Sequence, residues 1–276
     1  MFSLIKHAGV KRTFEIGCDQ AFVNIFKYID TDVYDYIART YYRRRYPCDT
    51  DLYDAPLDPY RIRWVSVDTI SRLSARKIPS WTNIPQLLGK VSDGDWDRNK
   101  LAPIQSDYQN RYEYDYQTVD GEYFFKTIFF QSMKAHFVSN ENWEDTDLYE
   151  LLREGIDSNY PVYRGISSEA ELKNRCEYID DLYRNIKQNG YKTQDELHPE
   201  TRLMKRRRNE ILVDISREGE FLFVENRTRL AIAKLLDIDV IPVVVLVRHE
   251  DWMEHREKLF KERKSESHPD LIEFTS

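Results

Sequence analysis

A chain of 276 residues is long enough to bury a substantial core, in one domain or two. Its formal net charge of −7 excludes a general nucleic-acid coat, which would be basic overall, but leaves room for a local basic site. Only Cys18, Cys48 and Cys176 occur, with no zinc-type spacing, which fits reduced thiols in a cytoplasmic protein.

The opening stretch, MFSLIKHAGVKRTFEIG, lacks the sustained apolar run and small-residue cleavage site of a secretory signal. No apolar run approaches the roughly 18 residues that cross a bilayer, so the expectation is a soluble chain with no membrane partner. From about Asp19 to Tyr42, Phe22, Ile25, Phe26, Ile29, Val33, Tyr36 and Ile37 recur at spacings of three and four. That period predicts one or two amphipathic helices, broken near Asp30-Thr31-Asp32, with Thr31 or Asp32 as the second cap. Arg43-Arg44-Arg45 suits the negative end of a helix. The Pro-, Asp- and Tyr-rich connector Tyr46 to Tyr60 reads as an ordered loop, dividing a helical N-terminal segment (1–58) from a main domain (59–252).

Arg61 to Val67 alternates and predicts a strand, followed by a turn into a short helix at Asp68. A short strand is expected around Lys90-Val91, then a turn at Ser92-Asp93-Gly94-Asp95. Residues 98–122 are polar and Tyr-rich and give no period. Tyr123 to Met133 reads as a buried helix, and Trp143 leads into another with Asp145 or Thr146 as cap. Ser167-Ser168-Glu169 opens a strong helix whose face carries Leu172, Cys176, Ile179, Leu182, Tyr183 and Ile186, stopped by Gly190. Lys192 to Arg208 reads as exposed and charged. Strands follow at Glu210 to Ile215 and Phe221 to Val224, joined by a hairpin turn at Arg217-Glu218-Gly219. A helix from Leu230 to Leu236, a strand from Ile241 to Val247 and a charged helix from Asp251 to Lys264 complete the pattern. The last dozen residues read as frayed, so 253–276 forms a charged helix and tail.

The segment Glu225-Asn226-Arg227-Thr228-Arg229 stands where a strand hands over to a helix. A helix start leaves backbone N–H groups unpaired and carries partial positive charge, so two arginines there can form a phosphate pocket. The other reading of the same residues is a salt-bridged elbow of Glu225, Arg227 and Arg229, or a surface for protein contact. Thr228 is expected to cap the helix through its hydroxyl.

Phe223 to Lys234 resembles the "strand, Asp-Gly-x-His-Arg, Leu-Ala-x-Ala-Lys" pattern of the ParB/sulfiredoxin-like superfamily. Arg229 matches its terminal arginine, and Asn226 stands at the usual glycine, where Asn tolerates a left-handed backbone. Thr228 replaces the usual His and Glu225 the usual Asp. Sulfiredoxin chemistry needs a cysteine where this chain has Arg227, so sulfinic-acid reduction is excluded. The resemblance implies an α+β fold, with a ParB/sulfiredoxin-like mixed sheet, a large helical insertion at about 98–200 and a helical N-terminal segment. It further implies a nucleotide, ATP or CTP, bound through Asn226, Arg227, Thr228 and Arg229, with hydrolysis or phosphoryl transfer to a small-molecule hydroxyl acceptor as conceivable outcomes. Glu225 would then serve as general base or Mg²⁺ ligand. The alternative is a non-catalytic ParB-like DNA-binding or protein-interaction module.

Three further constellations matter. Asp93, Asp95 and Asp97 alternate, so an extended backbone would aim all three at one Mg²⁺ beside a nucleoside triphosphate; an Asp-rich turn around Gly94 is the other reading. His249, just past the strand Ile241–Val247, is a candidate proton carrier or a capping residue. Lys205-Arg206-Arg207-Arg208 and the Tyr-flanked Arg43-Arg44-Arg45 are the stretches through which a nucleic acid would bind, or are solvated faces.

Overall fold

The spine of the protein is Val240–His249, with nine of its ten residues buried. The computed structural model describes residues 14, 17–26, 28–76, 84–98, 123–158 and 165–275. The opening stretch read for a signal lies almost wholly outside them, as does the aperiodic segment 98–122 beyond Arg98. Strands β1 (Arg63–Ser66), β2 (Lys90–Ser92), β3 (Ile211–Ile215), β4 (Phe221–Glu225) and β5 (Val240–His249) form one mixed sheet ordered β1-β5-β3-β4. β1 runs antiparallel to the first part of β5, opposite Val240 to Val243, while β2 runs parallel to its last part, opposite Val247 to His249. Pro242, which has no N–H, pairs with Trp64 just before β3 joins at Val243.

Both faces of the sheet are covered, which is why β3 and β5 read as continuous apolar runs rather than alternating ones. On one face Val65, Val213, Phe223, Val243 and Val245 pack with helices α2 (Ile128–Ser139), α3 (Asp147–Asp157) and α4 (Glu169–Asn189). On the other, Leu212, Leu222, Val244 and Leu246 share a cluster with Phe22, Tyr34, Ala38 and Tyr42 of the N-terminal helices. The N-terminal segment therefore contributes to the core beside the sheet. The molecule is α+β, as expected from the sequence.

The break near residue 30 is present, but Asp30 itself caps α1 (Thr31–Arg45), its carboxylate accepting from the Asp32 amide at 3.0 Å. Thr146 caps α3 and Ser168 caps α4, as their positions suggested.

Two expectations fail for the same physical reason. Lys192 to Arg208 is folded as α5 (Gln194–Leu197), closed by a Thr193/Glu196 capping box, and α6 (Leu203–Asn209). Arg206 and Arg207 are buried, bound to Asp195, and Arg206 also to Asp35. Nor is the tail frayed. After helix α8 (Glu250–Glu262), a turn at Pro269–Leu271 leads to α9 (Ile272–Thr275), and Asp270 is fully buried against Arg63, Arg248 and Arg256. In both places charged residues that look solvated in sequence satisfy one another indoors.

At the tip of the β3–β4 hairpin Gly219 has φ +84°, and a Cβ there would meet the Trp252 ring at 2.6 Å. Gly219→Ala is therefore expected to cost about 2–4 kcal/mol through strain and ring displacement. A thermal melt of the variant indistinguishable from the parent would contradict this.

Candidate functional site

The elbow forms because Asn226 can take a backbone that few L-residues take. Its φ of 73° and ψ of 43° reverse the chain between β4 and α7 (Arg227–Leu235). The Asn226 side chain holds the turn from below: Nδ2 donates to the Arg208 carbonyl at 2.8 Å and also to the Glu210 carbonyl. The helix begins three residues earlier than expected, so Arg227, Thr228 and Arg229 form its first turn. No side chain caps it and no acid lies within it; Glu225 stands just ahead at the end of β4.

The two arginines point to different surroundings, as residues two apart on a helix must. The Arg227 guanidinium lies over the Phe129 ring at 4.3 Å. Arg229 lies over the Tyr191 ring at 4.4 Å, donating through Nε to the Tyr191 hydroxyl at 3.0 Å and through Nη2 to the Lys192 carbonyl at 2.5 Å. Thr228 does not cap the helix. Its Oγ1 accepts from Nη2 of Arg175, on α4, at 2.9 Å. Arg175 and Arg227 both line a cavity of about 20 Å³ whose other walls include Phe129, Trp143, Tyr149 and Cys176. Burial pushes the Cys176 thiol up to about 12, so it is not a thiolate near neutral pH. Arg175 is a member of this group that sequence reasoning missed, because nothing in the pattern of α4 reveals which turn faces the elbow.

Glu210 was also missed. It is fully buried, with Oε1 accepting from the Gln194 amide at 2.5 Å. Burial pushes its carboxyl up to about 7, against the opposing pull of that bond and of Arg229 and Arg207.

The remaining candidates lie elsewhere. Glu225 pairs with Leu212, which pairs with Val244, five positions before His249 on β5. At about 3.3 Å per residue, roughly 17 Å of strand separates the two, so Glu225 and His249 do not share a reaction centre. His249 is buried. Its Nε2 donates to the Gly94 carbonyl at 2.8 Å, and its Nδ1 accepts from the Asp251 amide at 3.1 Å as the cap of α8.

Asp93, Asp95 and Asp97 do not converge on a metal position. Asp93 accepts from the Gly94 amide, while Asp95 and Asp97 both bind Arg217, at 2.8 and 2.7 Å. Burial raises the Asp97 carboxyl, but its bonds to Arg217 outweigh that and hold it below the usual carboxylate range. These residues do not fit Mg²⁺, because a guanidinium already binds two of the three carboxylates. Among the described residues no group of three His, Cys, Asp or Glu side chains could hold a metal ion.

Of the basic stretches, Arg206 and Arg207 face inward, and Arg43 pairs with Asp51. Among the described residues no helix is long and apolar enough to cross a membrane. No family model, no curated protein and no solved structure matches the chain.

Proposed function

We propose that the elbow binds a small oxyanion, and that its physiological source is the phosphate of a nucleotide, as the ParB/sulfiredoxin-like pattern implies. The observation that carries this reading is the charge of the first turn of α7. Arg227 and Arg229 stand at the positive end of the helix, joined by Arg175 through Thr228, with no acid in that turn. Cations so placed cost about 0.3–1 kcal/mol each, and an anion at the same point reverses the sign. Asn226 supplies the left-handed turn that a glycine supplies in the superfamily pattern. The adjoining cavity, about 20 Å³, has room for about one water, so the nucleoside would lie outside it.

The test is thermal melting of the full chain with ATP, CTP or sulfate, with and without Mg²⁺. A ligand at ten times its Kd stabilises by about 1.4 kcal/mol, a shift of a few degrees. Arg227→Gln is expected to abolish that shift. Absence of any shift with all three ligands overturns the reading.

A second reading, a non-catalytic interaction scaffold, is favoured by the contacts of Arg229 with Tyr191 and Lys192, which tie the elbow to the chain after α4. It predicts that Arg227→Gln lowers the melting temperature while no anion changes it in either protein.

A further inference from the structure

Beneath the elbow lies an acid that the anion-binding reading does not use. Glu210 sits between α6 and β3. Its backbone carbonyl receives Asn226 Nδ2, and its Oε1 receives the Gln194 amide, while its other carboxylate oxygen is buried without a hydrogen-bond partner. The charged and titratable groups facing it are Arg229 from α7, Arg207 from α6, Asp195 from α5 and the Tyr191 hydroxyl. Neither arginine is committed to it: Arg207 binds both oxygens of Asp195, at 2.8 and 3.0 Å, and Arg229 is held by Tyr191 and Lys192. A buried carboxyl that receives one strong bond is costly to ionise.

We propose that Glu210 is a proton-operated control on the elbow. With the proton off, its carboxylate offsets the charge of Arg229 and weakens anion binding at the first turn of α7; with the proton on, the offset vanishes and binding tightens. The proposal rests on the elbow being an anion site. Burial places the change in the pH range around 7. The folded chain holds this proton more tightly than the unfolded chain, so stability falls as pH rises from the ordinary carboxylate value of 4.5 to about 7, and then levels off.

The experiment is calorimetric titration with sulfate, whose own charge is constant between pH 6 and 8, on the full chain and on Glu210→Gln. The parent is expected to bind about fivefold more weakly at pH 8 than at pH 6. The variant should bind equally at both, at the parent's tighter value. Equal pH ratios in the two proteins overturn the control while leaving the site intact. No binding by either protein at either pH overturns the site and the control together. Melting without sulfate is the second measurement. Glu210→Gln should raise the melting temperature by roughly 5 °C at pH 8 and hardly at all at pH 4.5. A gain of the same size at both pH values, or none at pH 8, overturns the assignment of the proton to Glu210.

Discussion

Asp270→Ala is expected to remove most of the stability of the fold. The carboxylate is fully buried and receives Arg248 side-on, with Nε at 2.8 Å from Oδ2 and Nη2 at 2.5 Å from Oδ1. Arg63 Nε approaches at 3.3 Å, Arg256 Nε at 3.4 Å and Trp252 Nε1 at 3.0 Å. Burial alone would raise this carboxyl, but the three guanidinium groups, Arg248 foremost, hold it far below the usual carboxylate range. Burial in turn lowers Arg256 to about 10 and also lowers Arg63. Alanine would leave three buried cations and one neighbouring carboxylate, Glu273, which is paired with Arg63. Breaking one buried pair costs about 3–5 kcal/mol, against a total stability of about 5–15 kcal/mol. The loss should therefore reach or exceed about 5 kcal/mol, read from the urea midpoint of the variant. A loss under about 1 kcal/mol would contradict the account. A depressed carboxyl contributes its stability above the unfolded value near 3.8 and loses it only as pH falls toward the folded value. The difference between parent and variant should therefore hold from pH 8 down to pH 5 and shrink only in strong acid.

The second large effect is expected at Asp214. Three residues of β3, Val213 to Ile215, span four of β5, Val245 to Arg248, so the ladder is irregular there. Asp214, fully buried in β3, turns its Oδ1 to the Val247 amide at 3.1 Å and so satisfies a donor within that irregular stretch. The same carboxylate takes Arg76 through Nε at 3.0 Å and Nη2 at 2.9 Å, and the Ser74 hydroxyl at 2.7 Å. Asp214→Ala strands a buried amide and most of a guanidinium, at a cost of about 3–5 kcal/mol. Asp214→Asn retains an acceptor and should lose less. Hydrogen exchange at Val247 would separate the two: fast in the alanine variant and slower in the asparagine one. Unchanged protection at Val247 in Asp214→Ala would remove the bulge from the explanation.

Periodicity made the helices and strands legible, because burial of one stripe or of alternate positions leaves a local trace. The α4 face with Leu172, Cys176, Ile179 and Ile186 buried is a direct case. Asn226 was legible too, since few other residues suit a left-handed turn between a strand and a helix. What stayed hidden were pairings between distant charges. Arg206 reads as one cation in a basic run until Asp35, far away in sequence, is seen beside it. Asp270 reads as tail until three arginines from β1, β5 and α8 surround it. Glu210 and Arg175 escaped for the same reason: their chemistry is set by neighbours that no local pattern names.

The position of Asp270 in the chain has a consequence for biosynthesis. The five strands among the described residues all precede it, so each is synthesised while Arg63 and Arg248 still lack their counter-ion. The chain can begin to collapse on its earlier strands, but its final locking waits for residue 270 to dock. Until then those two guanidinium groups favour solvent over the interior.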